Sequence, residues 1–215
     1  VHPAAWTVLE LGGKDGFGID LTPRHIQAFE GDLARLNSEA DGHDDITSAR
    51  FSLGGIAGDA AARRDGLRQG RERVMLCGLP VSRYDPEDLK RLNLGLGTHL
   101  GRLVSQSNMW DLIGEVVNFG DKDRRKRAYC SSREVKLHTD RCDHLAILCV
   151  RPAIEGGVSG YTSAITIHNI MAAECPGLLA LLCRGYYRHR FGEQPPGQPP
   201  VTAERIPIFS VTDGV

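Results

Sequence analysis

The residues best suited to chemistry in this 215-residue sequence lie in the stretch Leu137-His138-Thr139-Asp140. On an extended segment side chains alternate, so an imidazole and a carboxylate two positions apart face the same side. With one more His from elsewhere, such a pair makes the two-His-one-carboxylate triad that holds Fe(II) and keeps coordination positions open. An H-x-D pair also arises by accident in a chain with eight His. Its plain structural counterpart is a strand histidine bonded to a nearby carboxylate.

The pair is followed by an apolar run, Leu145 to Val150, and then by Gly156-Gly157-Val158-Ser159 and Ser163. From about Val135 to Leu182 the sequence resembles the TauD/TfdA family of Fe(II)- and 2-oxoglutarate-dependent dioxygenases. There an H-T-D or H-T-E on a strand precedes an apolar strand, a G-G-x-T/S turn, and a small-residue turn into a helix ending near a Pro. The likeness extends more loosely to RVMLCGLP, Arg73 to Pro80, and is weak over residues 1–70.

The resemblance implies that His138 and Asp140 are metal ligands and catalytic residues, with Fe(II) as cofactor, 2-oxoglutarate as cosubstrate and O2 as co-reactant. It implies a small, carboxylated or amino-acid-like substrate and hydroxylation of an unactivated C–H bond as the usual outcome, with desaturation and ring closure known among related enzymes. Asp140 keeps the carboxylate ligand in place, which argues against halogenation. Ser159 aligns with the hydroxyl that helps hold the 2-oxoglutarate carboxylate. A Ser hydroxyl can donate a charge-assisted bond to such a group, and the two preceding Gly permit a tight turn. The plain alternative is that Ser159 only satisfies that turn. Gln106 and Asn108, in a polar cluster with Ser105 ahead of Trp110, align with a segment that borders the substrate in many relatives; an ordinary polar loop is the alternative. Glu134 is a further candidate substrate neighbour, set against an exposed strand carboxylate.

In the family the second His lies far downstream, followed by an Arg that pairs with the distal carboxylate of the cosubstrate. Three His follow His138 here. His144 is too near, His168 falls in a predicted helix, and His189 alternates with Tyr187 and Phe191 along one strand face. None matches the distal position. The chain starts without Met, and its last expected strand ends at Asp213-Gly214, a hairpin signal with no returning strand. The expectation is therefore a sequence incomplete at its C-terminus, with the distal His and the Arg outside it. Two rivals stand beside the oxygenase: a metal-free relative of the same fold with a binding or structural role, and a zinc hydrolase, for which no protease or deaminase pattern is present.

The elements that must position these residues read as follows. Thr22-Pro23 opens a helix, with a capping hydroxyl before Pro at the first position, and Ile26, Phe29, Leu33 and Leu36 share its apolar face. Ala57 to Gly70 reads as a second helix. Val74 to Cys77 reads as a short buried strand stopped by Gly78-Leu79-Pro80. Asp85-Pro86-Glu87-Asp88 starts another helix, with Leu89, Leu92, Leu96, Leu100 and Leu103 on its apolar face and three Gly weakening it. Strands are expected at Asp111–Phe119, Glu134–Asp140, Leu145–Val150, Tyr186–Phe191 and Ile206–Val211. Ser163 is expected to cap a helix to about Glu174, Pro176 to open a short one, and Glu193–Pro200 to form a loop. Residues 1–20 read as a strand and loops.

The length suits a single domain, 1–215, with residues 1–70 as an N-terminal helical and irregular part and 71–215 as the first part of the core. The fold class expected is mixed α/β: a double-stranded β-helix, or jelly roll, with flanking helices, as the resemblance implies. With 26 Lys+Arg against 27 Asp+Glu, nothing in the charge favours nucleic acid or an anionic membrane as partner. The basic run Lys122 to Arg127 has no interleaved aromatics and reads as a solvated loop. No apolar run approaches the ~20 residues of a membrane span, and no signal-peptide pattern opens the sequence. Six Cys show no C-x-x-C pair and no disulfide framework; Cys77, Cys149 and Cys183, inside apolar runs, read as buried thiols, and the cytoplasm is the default address. Oligomeric state is left open.

Overall fold

A computed structural model describes residues 2–12, 17–39, 42–58, 62, 67, 73–105, 111–117, 134–140, 142–190, 192 and 194–211. They fall into two compact units, one made of Gly13–Tyr161 and the other of Val1–Gly12 with Thr162–Val215.

In the first unit β1 (Gly18–Asp20) pairs in parallel with β2 (Met75–Cys77), Ile19 lying opposite Leu76. Helix α2 (Pro23–Glu39) begins where Thr22-Pro23 predicts it. The Thr22 N–H donates to His25 Nδ1 at 2.9 Å while the His25 N–H points back to the Thr22 hydroxyl at 3.4 Å. This is a reciprocal cap with His in the usual Glu position. Phe29, Leu33 and Leu36 are buried and Ile26 packs against them, as their spacing predicts. Asp32 is buried among them. Its carboxylate accepts the N–H of Leu53 at 2.6 Å and pairs with Arg35, so the buried charge is satisfied where the backbone turns left-handed at Leu53, φ 59°.

Helix α3 (Pro86–Leu100) is capped by Asp85, which accepts the Asp88 N–H at 2.8 Å. Leu89, Leu92 and Leu94 are buried and Leu96 is partly so; Leu94 was not on the predicted face. The face turns because Gly95 admits the ring of Phe51, which is fully buried. A Cβ on Gly95 would stand 2.4 Å from Phe51 Cγ. His99 Nε2 donates to the Phe51 carbonyl at 2.5 Å, locking the same turn to the helix. On the outer side Lys90 reaches both Glu87, at 2.9 Å, and Glu115, at 2.8 Å, and so ties residues 111–117 to α3. The bond to Glu115, then the one to Glu87, raises the Lys90 pKa. Of the helix expected at Ala57–Gly70, residues 57, 58, 62 and 67 are helical.

In the second unit the residues read as strand and loops include a short helix, α1 (Val8–Leu11), whose Thr7 N–H donates to Glu10 at 2.8 Å. Helix α4 (Ala164–Glu174) is capped by Ser163, which accepts the Thr166 N–H at 3.0 Å and donates to the Ala4 carbonyl. The Thr166 hydroxyl donates to the Trp6 carbonyl at 2.8 Å, so the start of the chain is docked on the start of α4. Helix α5 (Pro176–Arg184) follows, then β3 (Tyr186–His189) and β4 (Val201–Ile206), paired antiparallel with Tyr187 opposite Arg205. The Pro-rich stretch between them is the loop expected.

Several expectations are corrected. The last strand is Val201–Ile206 and not Ile206–Val211: Pro207 has no N–H to give a ladder, so pairing stops there. No strand forms at residues 111–117, 134–140 or 145–150. Leu145, Ile147 and Val150 are exposed, as are Cys149 and Cys183, which were read as buried. Alternation makes a segment able to be a strand, but a strand persists only where a neighbour takes its N–H and C=O groups. No described segment pairs with these. β2 has one such neighbour, and Met75 and Leu76 remain largely exposed on its open ribbon. Tyr186 and Tyr187 are likewise exposed, so His189 does not serve a core there. The architecture of the described residues is mixed α/β with two two-stranded ribbons, and no larger sheet is present among them. No helix among them is long and apolar enough to cross a membrane. Phe191 and Asp213-Gly214 lie outside the described residues.

The Gly95 contact gives a test against simple helix propensity. Gly95→Ala gains about 1 kcal/mol as a helix former, but forces a methyl into the Phe51 ring, an overpacking cost of about 1–3 kcal/mol. The expected outcome is a net loss of up to about 2 kcal/mol, read as a lower urea midpoint with an unchanged m-value.

Candidate metal centre

His138 and Asp140 lie on an irregular segment, residues 134–140, and the structure brings their side chains together. His138 Nε2 stands 3.9 Å from Asp140 Oδ1, with the two side chains 54% and 47% exposed. The other ring nitrogen, Nδ1, lies 2.6 Å from the carbonyl oxygen of Lys136. A carbonyl only accepts, so Nδ1 is the donor, and whenever the ring is neutral its lone pair is on Nε2, the atom that faces the carboxylate.

Two neighbouring ligands of a ferrous facial triad, each ~2.0–2.2 Å from the ion and about 90° apart, stand roughly 3 Å from one another. The observed 3.9 Å is wider than that and outside hydrogen-bond distance, so these exposed side chains would have to draw together to share an ion. Imidazole nitrogen and carboxylate oxygen are the donor types a ferrous site uses, and a histidine ligand whose second nitrogen donates to a backbone carbonyl is held in the tautomer such a site requires. In donor type and in tautomer the two residues fit the metal. Among the described residues no group of three or more His, Cys, Asp or Glu is arranged to hold an ion.

The other candidates are placed separately. Ser159 is exposed and makes no hydrogen bond to His138 or Asp140. It follows Gly156 and Gly157, at φ 72° and 67°, two consecutive left-handed residues. A Cβ on Gly157 would also meet the Ala153 methyl at 2.8 Å, so both the twist and the close approach require glycine here. Glu134 is exposed. Gln106 and Asn108, with Trp110 and the basic run Lys122–Arg127, lie outside the described residues. His144 is half-buried beside the pair in sequence, while His168 packs edge-on against Phe209, ring centroids 5.5 Å apart, as a packing residue.

Two participants near the pair were not foreseen. The Lys136 carbonyl is a backbone group and leaves no mark in the sequence. Cys142 was counted only as one of six thiols, although it continues the spacing of His138 and Asp140. Burial first, and then the carboxylates of Asp140 and Asp143, push its thiol pKa up.

The comparisons with known proteins bear on this same stretch. Residues 41–211 match the taurine catabolism dioxygenase TauD, TfdA family, and the chain belongs to that family of dioxygenases. Over 151 residues it is 31% identical to FR-33289 synthase of Streptomyces rubellomurinus (strain ATCC 31215). That match covers 69% of this chain and 44% of the relative, so the chain spans less than half of the relative's length.

The Cys142 environment is open to direct measurement. A thiol held protonated is a slow nucleophile, so at about pH 8 Cys142 is expected to react with iodoacetamide more slowly than the exposed Cys149. Because its pKa is raised on folding, its stabilising contribution is complete below the ordinary thiol pKa and is lost as pH rises through the folded value. Peptide mass spectrometry of the labelled protein reads the two rates, and equal rates contradict the assignment.

Proposed function

We propose that this chain is part of an Fe(II)- and 2-oxoglutarate-dependent oxygenase that hydroxylates an unactivated C–H bond of a small, amino-acid-like or carboxylated metabolite. The observation that carries the reading is the approach of His138 Nε2 to Asp140 within a region matched by a dioxygenase family. The Streptomyces relative carries the name of a synthase, which accords with an enzyme acting on a small molecule.

When bound, iron and 2-oxoglutarate supply the oxidative chemistry, in which O2 is consumed, succinate and CO2 are formed and a substrate C–H bond is oxidised. The chain's own part is positional. His138 and Asp140 would hold the metal, with the Lys136 carbonyl fixing the imidazole so that its lone pair is presented. The Ser159 hydroxyl would donate to a carboxylate of the cosubstrate, and the glycine turn before it lets backbone and cosubstrate approach closely. Glu134, Gln106 and Asn108 are the proposed substrate neighbours. In this reading residues 1–215 belong to one domain, with residues 71–215 contributing the first part of a jelly-roll core.

The test is made on the full-length protein under anaerobic conditions. Fe(II) with 2-oxoglutarate should give the weak visible charge-transfer absorption of such complexes, and succinate should form when O2 is admitted. His138→Ala and Asp140→Ala should each abolish the band and lower succinate formation by about 100-fold or more, since even partners outside the ligand set cost ~10–100-fold. Ser159→Ala should weaken 2-oxoglutarate binding by about tenfold, the worth of a hydrogen bond to a charged group. A metal-free relative with a binding or structural role predicts neither band nor succinate, and that result rejects the oxygenase.

A further inference from the structure

The turn carrying Ser159 is held by something other than a backbone ladder. Among the described residues no backbone hydrogen bond involves Arg151 to Tyr161, and two consecutive left-handed glycines leave the turn without a regular neighbour. Its end is instead fixed by a ring. Tyr161, two residues past Ser159, lies with its centroid 5.0 Å from the Arg73 guanidinium carbon, and the same guanidinium stands 5.4 Å from the centroid of Phe17. Both distances are inside the ~6 Å range of cation–π attraction.

Phe17 is itself held by the backbone, and Arg73 lies two residues ahead of β2. They stand at the entrance to the β1–β2 ribbon, where the Met75 N–H donates to the Phe17 carbonyl at 3.0 Å. An arginine two residues ahead of β2 therefore reaches the end of a segment that no sheet holds. A planar, delocalised guanidinium can stack on aromatic rings in a way a compact lysine ammonium does not.

We propose that Arg73 is a positioning residue: by stacking on Tyr161 it ties the Gly156–Ser159 turn to the β1–β2 ribbon and so places the Ser159 hydroxyl for the cosubstrate. The role in cosubstrate binding rests on the oxygenase reading above; the tether itself does not. Arg73 touches neither metal nor cosubstrate in this scheme and acts through Ser159.

Two measurements on the full-length protein decide the matter. The first uses no metal: the Arg73 Nε–H resonance, shifted by the neighbouring rings, should move in Tyr161→Leu and stay in Tyr161→Phe, which keeps the ring. The second is an anaerobic titration of 2-oxoglutarate followed by its absorption with Fe(II). Arg73→Met and Arg73→Lys should each weaken 2-oxoglutarate binding about two- to fivefold, the scale of an exposed cation–π contact. Tyr161→Phe should bind as the unaltered protein does. Combined with Ser159→Ala, Arg73→Met should add nothing further, because a residue acting through Ser159 loses its effect once that hydroxyl is gone. An Arg73 signal indifferent to Tyr161→Leu overturns the tether, and effects of Arg73→Met and Ser159→Ala that simply add overturn the positioning role. A moving Arg73 signal in a protein that forms no 2-oxoglutarate complex supports the tether while rejecting the oxygenase, so the two failures are told apart.

Discussion

The larger unit depends on how closely an aromatic ring can approach a helix backbone. Phe51 is fully buried against Gly95, where no side chain stands between ring and backbone. Interiors are packed to crystal-like density, so a contact of this kind has no slack to absorb even one methyl group. The surrounding bonds serve the same turn. His99 closes on the Phe51 carbonyl and Asp32 on the Leu53 N–H, so both backbone groups flanking Ser52 in the turn between α2 and α3 are bonded by side chains. Burying an aspartate at such a point is tolerated because its two oxygens accept from a backbone amide and a guanidinium in place of water.

Local signals were read well where the physics is local. Thr22-Pro23, Asp85-Pro86 and Ser163 each start a helix because a side-chain oxygen satisfies an N–H that no earlier turn can reach, and that chemistry is written in neighbouring residues. What depends on a distant partner was not legible. Asp32 reads as one more charge on an amphipathic helix until Leu53 is brought to it. Gly95 reads as a weak point until Phe51 is seen against it. The runs at 134–140 and 145–150 have the composition of strands, but pairing is decided by a second segment, and composition does not name one. The end of β4 could have been foreseen: Pro207 stops a ladder wherever it falls, and Val201-Thr202 before it are good strand residues.

Part of the site was legible for the same reason. That His138 and Asp140 share a side follows from a spacing of two on extended backbone, and it holds here without any strand. The choice of nitrogen was not legible, since it is made by a backbone carbonyl two residues away. Gly156-Gly157 was read as permitting a tight turn; both residues take the positive φ that only glycine adopts freely, after a bend at residues 154–155. The role of Arg73 could not be read from sequence, because its two aromatic partners lie far from it on either side of the chain.

A ligand pair made of near neighbours has a thermodynamic advantage in an irregular segment. Bringing distant groups together costs loop-closure entropy that grows, slowly, with the length between them. His138 and Asp140 avoid nearly all of that cost, and the Nδ1 contact to Lys136 removes a further rotational freedom of the ring. Free energy of metal binding is shared with the ordering of the groups that bind, so an ion held by this pair would contribute to ordering residues 134–140. The stacking of Arg73 on Tyr161 answers the same need at the other end of the irregular stretch, where the turn bearing Ser159 has no ladder of its own. Local pairing at one end and a side-chain tether at the other are two solutions to a single problem: how to hold side chains in place from backbone that regular secondary structure does not hold.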